Sequence, residues 1–304
     1  MSFFTKKKIC VTHNGAFHAD DLFATATLSI LNNGNIKIIR TRDLKVFETA
    51  DYLYDVGGDY NPEKNIFDHH QKGGAGVRDN GVPYAAFGLV WKTYGEKICG
   101  NKKIADRIDL KIVQPIDAKD NGFDILTPKI EGVTPYSAQE IFMAFYPTWK
   151  ENNFDIDNIF KKEVKRIVPL LLREIEVSRA DVEGEEIIVN SYNSAEDKKI
   201  IIIEKPLPRY LIQNNLPKFS EPIYFIYPSG HDDSWKVEAV REDLNTMKSR
   251  KFFPESWRGL MNGDNELRKL TGVEDALFCH QSGFFAHVKS KEGAIKLAQK
   301  ALIA

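Results

Sequence analysis

Four times in its first 121 residues the chain runs into a cluster of hard metal-ligand side chains, each at the end of a strand-like segment or in a loop beside one. The clusters are His13-Asn14-Gly15-Ala16-Phe17-His18-Ala19-Asp20-Asp21, Asp55-Val56-Gly57-Gly58, Asp68-His69-His70 and Asp117-Ala118-Lys119-Asp120-Asn121-Gly122. Lys8 to Thr12 reads as a short apolar strand ending at His13. Asp20 to Leu31 is apolar on most faces and predicts a buried helix, closed by Asn32-Asn33-Gly34. Ile36 to Arg40 and Tyr52 to Val56 are the next strands, and helical patterns follow at Tyr84–Tyr94, Lys102–Ile116 and Ser137–Phe145. Strands alternating with helices predict an α/β domain with a mainly parallel sheet covered by helices. Ligands of such sheets bind beyond the carboxyl ends of the strands, where His13 and Asp55 fall.

Phe154 to Val182 predicts a long helix with Pro169 as a kink or break. Ile187–Asn190, Ile200–Glu204, Pro222–Tyr227 and Trp235–Arg241 read as strands, with Ser229 to Asp233 as the turn between the last two, and a helix runs from Ser290 onward. The expected organisation is a catalytic domain over residues 1–150, a helical connector over 151–183, and a smaller α+β domain over 184–304 built on an antiparallel sheet, the two domains facing each other across an active-site cleft.

A lone aspartate at a strand end is more often a turn residue or a helix cap than a ligand, and Asp20 could simply cap the helix that follows it. The conjunction of a His-rich loop, an Asp after a later strand, an Asp-His-His triplet and a further Asp pair changes those odds. Four of the seven histidines fall in these clusters. Imidazole and carboxylate ligands suit manganese, zinc, iron or magnesium. More than four such ligands suggest two cations, which can share a water and stabilise both oxygens of an in-line phosphoryl displacement, with one carboxylate bridging them.

Composition removes other classes. Lys plus Arg is 42 against 43 for Asp plus Glu, so no cation excess is available to coat long duplex DNA. Three cysteines, Cys10, Cys99 and Cys279, make neither a disulfide framework nor a thiolate zinc site, and a reducing compartment fits them. No apolar run approaches the roughly 20 residues that span a bilayer, and Met1 to Lys8 lacks a signal-peptide core. The expectation is a cytoplasmic protein without a membrane partner.

Asp68-His69-His70, preceded by a His/Asp loop and an Asp-bearing strand end, resembles the DHH phosphoesterase superfamily. Thr12-His13-Asn14-Gly15-x-Phe17-His18-x-Asp20, Tyr54-Asp55-Val56-Gly57, Phe67-Asp68-His69-His70-Gln71, Ile116-Asp117-Ala118-x-Asp120-Asn121-Gly122, Tyr146-Pro147-x-Trp149 and Phe278-Cys279-His280-x-Ser282-Gly283-Phe284 resemble, more closely, the melanocyte proliferating gene (MYG) family of metal-dependent hydrolases. The resemblance implies a DHH-type domain, two divalent cations with manganese favoured, and a phosphodiesterase or 3′-to-5′ RNA exonuclease using a hydroxide activated by both metals. His18 stands where the superfamily usually has a carboxylate, which shifts preference toward zinc, iron or cobalt, with magnesium also open.

On this basis one ion is assigned His13, His18 and bridging Asp55, and the other Asp20, Asp55, His69 and Asp117. Asp120 is the reserve ligand, grouped with the catalytic residues. Asp68 is expected to orient His69, and His70 to face substrate as a phosphate ligand or proton donor. Arg241, Arg258, His280, Ser282 and Gly283 are the expected substrate-binding residues, since Arg forks grip phosphate and Gly permits close approach of the main chain. The last three loosely resemble the substrate-binding segment that accompanies many DHH enzymes. The expected partner is a short RNA or a nucleotide phosphodiester, and a homodimer is allowed. Two rivals share the ligand set: an inorganic pyrophosphatase or phosphomonoesterase, and a non-enzymatic, metal-loaded nucleotide sensor.

Overall fold

The computed structural model describes residues 6–152, 154–261 and 265–304. It is a mixed α/β protein with two five-stranded sheets, divided into two compact units between Arg179 and Ala180.

The first sheet contains β1 (Lys8–Thr12), β2 (Ile36–Arg40), β3 (Tyr52–Tyr54), β4 (Tyr60–Asn61) and β5 (Ile66–Phe67), in the spatial order β2-β1-β3-β5-β4. β1 pairs in parallel with β2 and β3, β3 pairs in parallel with β5, and β4 runs antiparallel at the edge. Four strands therefore end on the same side. His13, Asp55 and Asp68 are each the residue immediately after β1, β3 and β5, so the topology alone delivers them to one edge. The third strand stops at Tyr54, two residues short of the expected Val56, because Asp55 turns into the left-handed region (φ 54°).

Helix α1 (Ala19–Leu31) crosses from β1 to β2 and buries its first ten residues. Its buried Thr25 and Thr27 donate to carbonyls one turn back, which satisfies hydroxyls inside an otherwise apolar helix. It packs against α2 (Ala86–Cys99), with Phe23 and Phe87 in ring contact. A continuous helical run then comprises α3 (Lys102–Ile108), a π-helical turn over Asp109–Val113, and α4 (Gln114–Asp120). Asp117 and Asp120, expected in a loop, thus lie on a helix. The pattern from Lys102 does not stop at Ile116; Pro115 is carried within the run directly after the π-helical turn. The short α5 (Ala138–Met143) follows, capped by Ser137 and Glu140.

Helix α6 (Ile156–Ser194) spans 39 residues. Its buried positions Phe160, Val164, Ile167, Leu171, Ile175, Val182 and Ile188 recur mostly at three- and four-residue spacing and run past the expected end. The expected strand Ile187–Asn190 is therefore wrong. Those β-branched residues are the last turns of α6, where Ile188 packs with Ile201, Leu211 and Phe225. Pro169 does not break the helix; it lies on the exposed face, where water can serve the carbonyl it leaves without a donor.

The second sheet contains β6 (Ile200–Ile202), β7 (Tyr224–Pro228), β8 (Trp235–Ala239), β9 (Ala276–Cys279) and β10 (Phe285–Val288), in the order β6-β7-β8-β10-β9. It is antiparallel except for the β6–β7 pair. Side chains alternate across it. Tyr224, Ile226, Val237, Ala286 and Val288 face α7 (Lys291–Ile303), while Phe225 and Tyr227 face the end of α6. Among the described residues no helix is long and apolar enough to cross a membrane.

Candidate metal centre

The loop after β1 opens with His13. Its Nδ1 donates to the Asn14 carbonyl (3.1 Å), so Nε2 is the nitrogen that faces the carboxylates and, once deprotonated, a cation. That Nε2 lies 3.1 Å from Asp55 Oδ2 and 3.3 Å from Asp21 Oδ2. His18 caps α1, and its amide donates to Asp21 Oδ1 (2.8 Å). Asp21, not Asp20, is therefore the capping carboxylate. Asp20 points the other way and accepts the Ala86 and Phe87 amides (3.1 and 2.7 Å), the first free N–H groups of α2.

Asp55 holds the middle. Its Oδ2 faces His13 and its Oδ1 faces His69 Nε2 at 3.4 Å, so each oxygen serves one imidazole, as a bridging carboxylate requires. A non-glycine residue at positive φ stores strain, here at the centre of the cluster. His69 Nε2 is also 3.2 Å from Asp120 Oδ2, and Asp120 Oδ1 is 3.6 Å from His18 Nδ1. Three groups of ligand atoms result, each drawn together within 4.8 Å: His13, His18 and Asp55; Asp20, His69 and Asp120; Asp55, Asp68, His69 and His70.

Two assignments change. Asp117 joins none of these groups. It is fully buried, forms an ion pair with Arg78 (2.8 Å) and accepts the Gly88 amide (3.0 Å). A Cβ at Gly88 would fall 1.8 Å from Asp117 Oδ2, so glycine is required for that seat. Asp120, the reserve ligand, takes the expected place. Asp68 does not orient the His69 ring. Its Oδ1 accepts His70 Nδ1 (2.7 Å) and the His69 amide (2.8 Å), and its Oδ2 accepts the Gly58 amide (2.5 Å). Asp68 thus holds the His70 ring and the loop after β3 while its ligand atom stays within 4.8 Å of those of Asp55, His69 and His70. The partner of His69 Nδ1 is Asn121 Oδ1, at 3.4 Å. Half of the His70 side chain or more is open to solvent, and Asp68 leaves its Nε2 free.

Electrostatics follow from burying this many ligands together. Burial and the charges of Asp120, Asp55 and Asp117 push the Asp20 carboxyl well above its usual range, and burial raises Asp21. Burial opposes the charge on His13, yet hydrogen bonds to Asp21 and Asp55 raise its pKa to about 10; Asp120 and Asp55 likewise overcome burial at His69 and raise it to about 11. Asp55 is lowered, because the two imidazoles outweigh its burial. Buried Asp117 rises to about 7 despite Arg78.

The donor set fits divalent cations. His69 Nε2 and Asp21 Oδ2 are buried with only ion-pair contacts at 3.2–3.4 Å and no well-formed hydrogen bond, beside clusters of nitrogen and oxygen donors with no thiolate. Sequence reasoning assigned no role to Asp21, Asn121 or Arg78. Asp21 and Asn121 were visible as polar neighbours of the assigned carboxylates, whereas nothing local marks Arg78.

The expected substrate-binding residues fall in the second unit. His280, Ser282 and Gly283 form the β9–β10 turn, where the Ser282 amide donates to His280 Nδ1 (3.1 Å) and Gly283 adopts φ 67°. Arg258 lies against Gly283, its Nε donating to the Phe253 carbonyl (2.9 Å). Arg241 lies beyond the end of β8, bridged to Ser249, with its Nε buried and unpartnered. Of the Tyr146-Pro147-x-Trp149 motif, Tyr146 packs edge-on against Phe17 and Trp149 is exposed.

A histidine–carboxylate centre at the carboxyl ends of parallel strands defines the class of site. The model of the MYG1 exonuclease family, described as "Uncharacterised protein family (UPF0160)", matches residues 8–302, and the chain belongs to that family. It is 28% identical to the MYG1 exonuclease of Mus musculus over 327 residues, covering 96% of this chain and 84% of the mouse protein. It is 30% identical to the MYG1 protein of Dictyostelium discoideum over 323 residues, covering 97% and 96%. Among solved structures, a pGpG-specific phosphodiesterase, PggH, from Vibrio matches over 98% of each chain at 13% identity with a TM-score of 0.33, a likeness too weak to bear on the fold.

Proposed function

We propose that this protein is a metal-dependent phosphodiesterase of the DHH type, acting as a 3′-to-5′ exonuclease on short single-stranded RNA or on small nucleotide phosphodiesters. The observation that carries the reading is Asp55, whose two oxygens face His13 and His69 on opposite sides while Asp20, His18 and Asp120 complete the ring. Exonuclease is also the name given to the mouse relative.

His13, His18 and Asp55 would hold one cation, and Asp55, Asp20, His69 and Asp120 the other, with manganese favoured. Bound there, such ions polarise a phosphoryl oxygen and acidify water. The chain's own side chains supply the rest. Asp55 keeps the two halves of the ligand set at fixed separation. The first amides of α2 hold Asp20 against the mutual repulsion of the carboxylates. His70, its Nδ1 tied to Asp68, presents Nε2 outward to a phosphate oxygen or to the departing alkoxide, to which it can give a proton. Arg258 and the His280–Gly283 turn offer a phosphate- or sugar-binding corner in the second unit.

Elemental analysis of the purified protein, joined to a hydrolysis screen of short RNA, short DNA, cyclic dinucleotides and pyrophosphate under manganese, tests this. Two equivalents of metal with turnover of a 5-mer RNA are expected. Turnover of pyrophosphate alone would replace the reading with a pyrophosphatase, and bound metal without hydrolysis of any substrate would replace it with a sensor.

A further inference from the structure

A cavity of about 730 Å³ opens beside the metal centre, wholly within the first unit. His18, Asp20 and Asp120 form one of its walls, so whatever fills it abuts the proposed reacting phosphate. Its size lies in the roughly 300–1,000 Å³ range of small-molecule sites. We propose that it is a nucleobase subsite, receiving the base of the nucleotide whose phosphate lies at the centre. The assignment rests on the proposed function for the identity of that phosphate.

The remaining walls have the chemistry of a base site. Pro115, Phe123, Leu126 and Pro135 supply apolar faces of the kind on which a flat ring packs without regard to sequence. Phe123 and Leu126 are 43% and 61% exposed, costly for side chains with no ligand to cover them. Asp124 and Glu140 on the lining disfavour a run of phosphates and leave the uncharged base as the matching part of a nucleotide. Lys119 is the lining's single ammonium, enough for one phosphate at the boundary with the centre.

The motif after Asp117 explains how the cavity is built. Gly122, at φ 64°, ends α4 with its amide on the Lys119 carbonyl (3.2 Å), while the Phe123 amide reaches the Ala118 carbonyl (2.8 Å). This paired closure of a helix end needs the left-handed residue and sets the direction of the next one. The same turn therefore fixes the ligand Asp120 on its helical side and Phe123 on its loop side. On the facing wall, Gln139 Oε1 accepts the Ala19 amide (2.6 Å) and ties the start of α5 to the start of α1.

Calorimetric titration of the manganese-loaded full chain with AMP and with ribose 5-phosphate tests the subsite without requiring turnover. AMP should bind at least about tenfold more tightly, the gain expected of one stacked base. The double variant Phe123→Ala/Leu126→Ala should reduce that ratio to about twofold while leaving ribose 5-phosphate affinity unchanged. Leu126→Ser alone, at a solvent-open position, should reduce it by a smaller factor and serves if the double variant does not fold. Equal affinity of the wild type for the two ligands, or an unreduced ratio in the variants, would overturn the proposal. Loss of RNA hydrolysis with base discrimination intact would instead remove the proposed function and leave the subsite standing.

Discussion

Both units bury carboxylates, but they treat them in opposite ways. In the second, Glu238 is 1% exposed and accepts the Arg209 guanidinium and the Tyr227 hydroxyl, each at 2.5 Å, so its charge is matched inside the protein. In the first, Asp20, Asp21, Asp55 and Asp120 crowd the imidazoles of His13, His18 and His69, and buried ligand atoms on His69 and Asp21 meet their partners only in ion-pair contacts of 3.2–3.4 Å without a well-formed hydrogen bond. Asp117, a few ångströms of chain away, follows the rule of Glu238: it has Arg78. Burial of an acid is thus no mark of function. A surplus of buried acid over internal cation points to one, because without an outside cation the fold holds such a surplus by keeping protons that a bound cation would displace.

The largest test of this contrast is Asp55→Ala. Losing the one carboxylate that faces both imidazoles should abolish the binding of both metals and lower turnover on the order of a thousandfold or more, read by elemental analysis and by RNA hydrolysis. Full metal stoichiometry with wild-type turnover would remove Asp55 from the bridging position.

Glu238→Ala should do the reverse. It strands the buried Tyr227 hydroxyl and the half-exposed Arg209, for a loss of roughly 2–4 kcal/mol of stability, read by urea denaturation. Metal stoichiometry should not change. If it fell, the separation between a structural acid and a ligating one would not hold.

How much of this contrast is legible in the sequence depends on how far away the deciding neighbour lies. His13, Asp55 and Asp68 announce themselves, because each follows directly on a strand and parallel topology brings strand ends together without further information. The choice between Asp117 and Asp120 is not local. The two are one helical turn apart on α4, and what separates them is Arg78 and the required glycine at position 88. Nor is the role of Asp68 local, since Gly58 and the His70 ring claim its oxygens before the His69 ring can. The stretch from Ile187 has the β-branched composition of a strand, yet it continues a helix whose apolar stripe was set some thirty residues earlier at Phe160. Composition lost to packing there.

The surplus of acid also predicts different responses to pH with and without metal. In the folded, metal-free protein the neighbouring carboxylates raise His13 to about 10 and His69 to about 11, above the value of about 6.5 for an unfolded chain. Their contribution to metal-free stability is therefore complete below about pH 6.5 and is lost as pH rises through those folded values. The raised Asp20 and Asp21 act in the same direction, since the folded state holds their protons longer. A metal must displace these protons, so its affinity should rise with pH. Thermal melts from pH 6.5 to 9 should slope downward in chelator and run nearly level in saturating manganese, where neither the metal-bound nor the unfolded chain holds the imidazole protons, and calorimetry at pH 7 should detect proton release through buffers of different ionisation enthalpy. Parallel slopes would mean that the imidazoles are already neutral before metal arrives.

The smallest effect belongs to Asn121, which belongs to neither kind of site. It carries no charge to match or to leave unmatched, but its Oδ1 faces His69 Nδ1 and its Nδ2 donates to the Asp117 carbonyl at 2.9 Å. It links the helix that carries Asp120 to the His69 ring, where its carbonyl oxygen accepts the Nδ1 proton. Removing such an outer partner typically lowers metal affinity about 10- to 100-fold without removing a ligand. Asn121→Ala should fall at the lower end, because the 3.4 Å contact is long, and Asn121→Asp should restore affinity by accepting the same proton more strongly. Rescue by aspartate with stability unchanged would place Asn121 among the groups that aim His69. Equal loss in both variants would mean that Asn121 acts only through the end of α4.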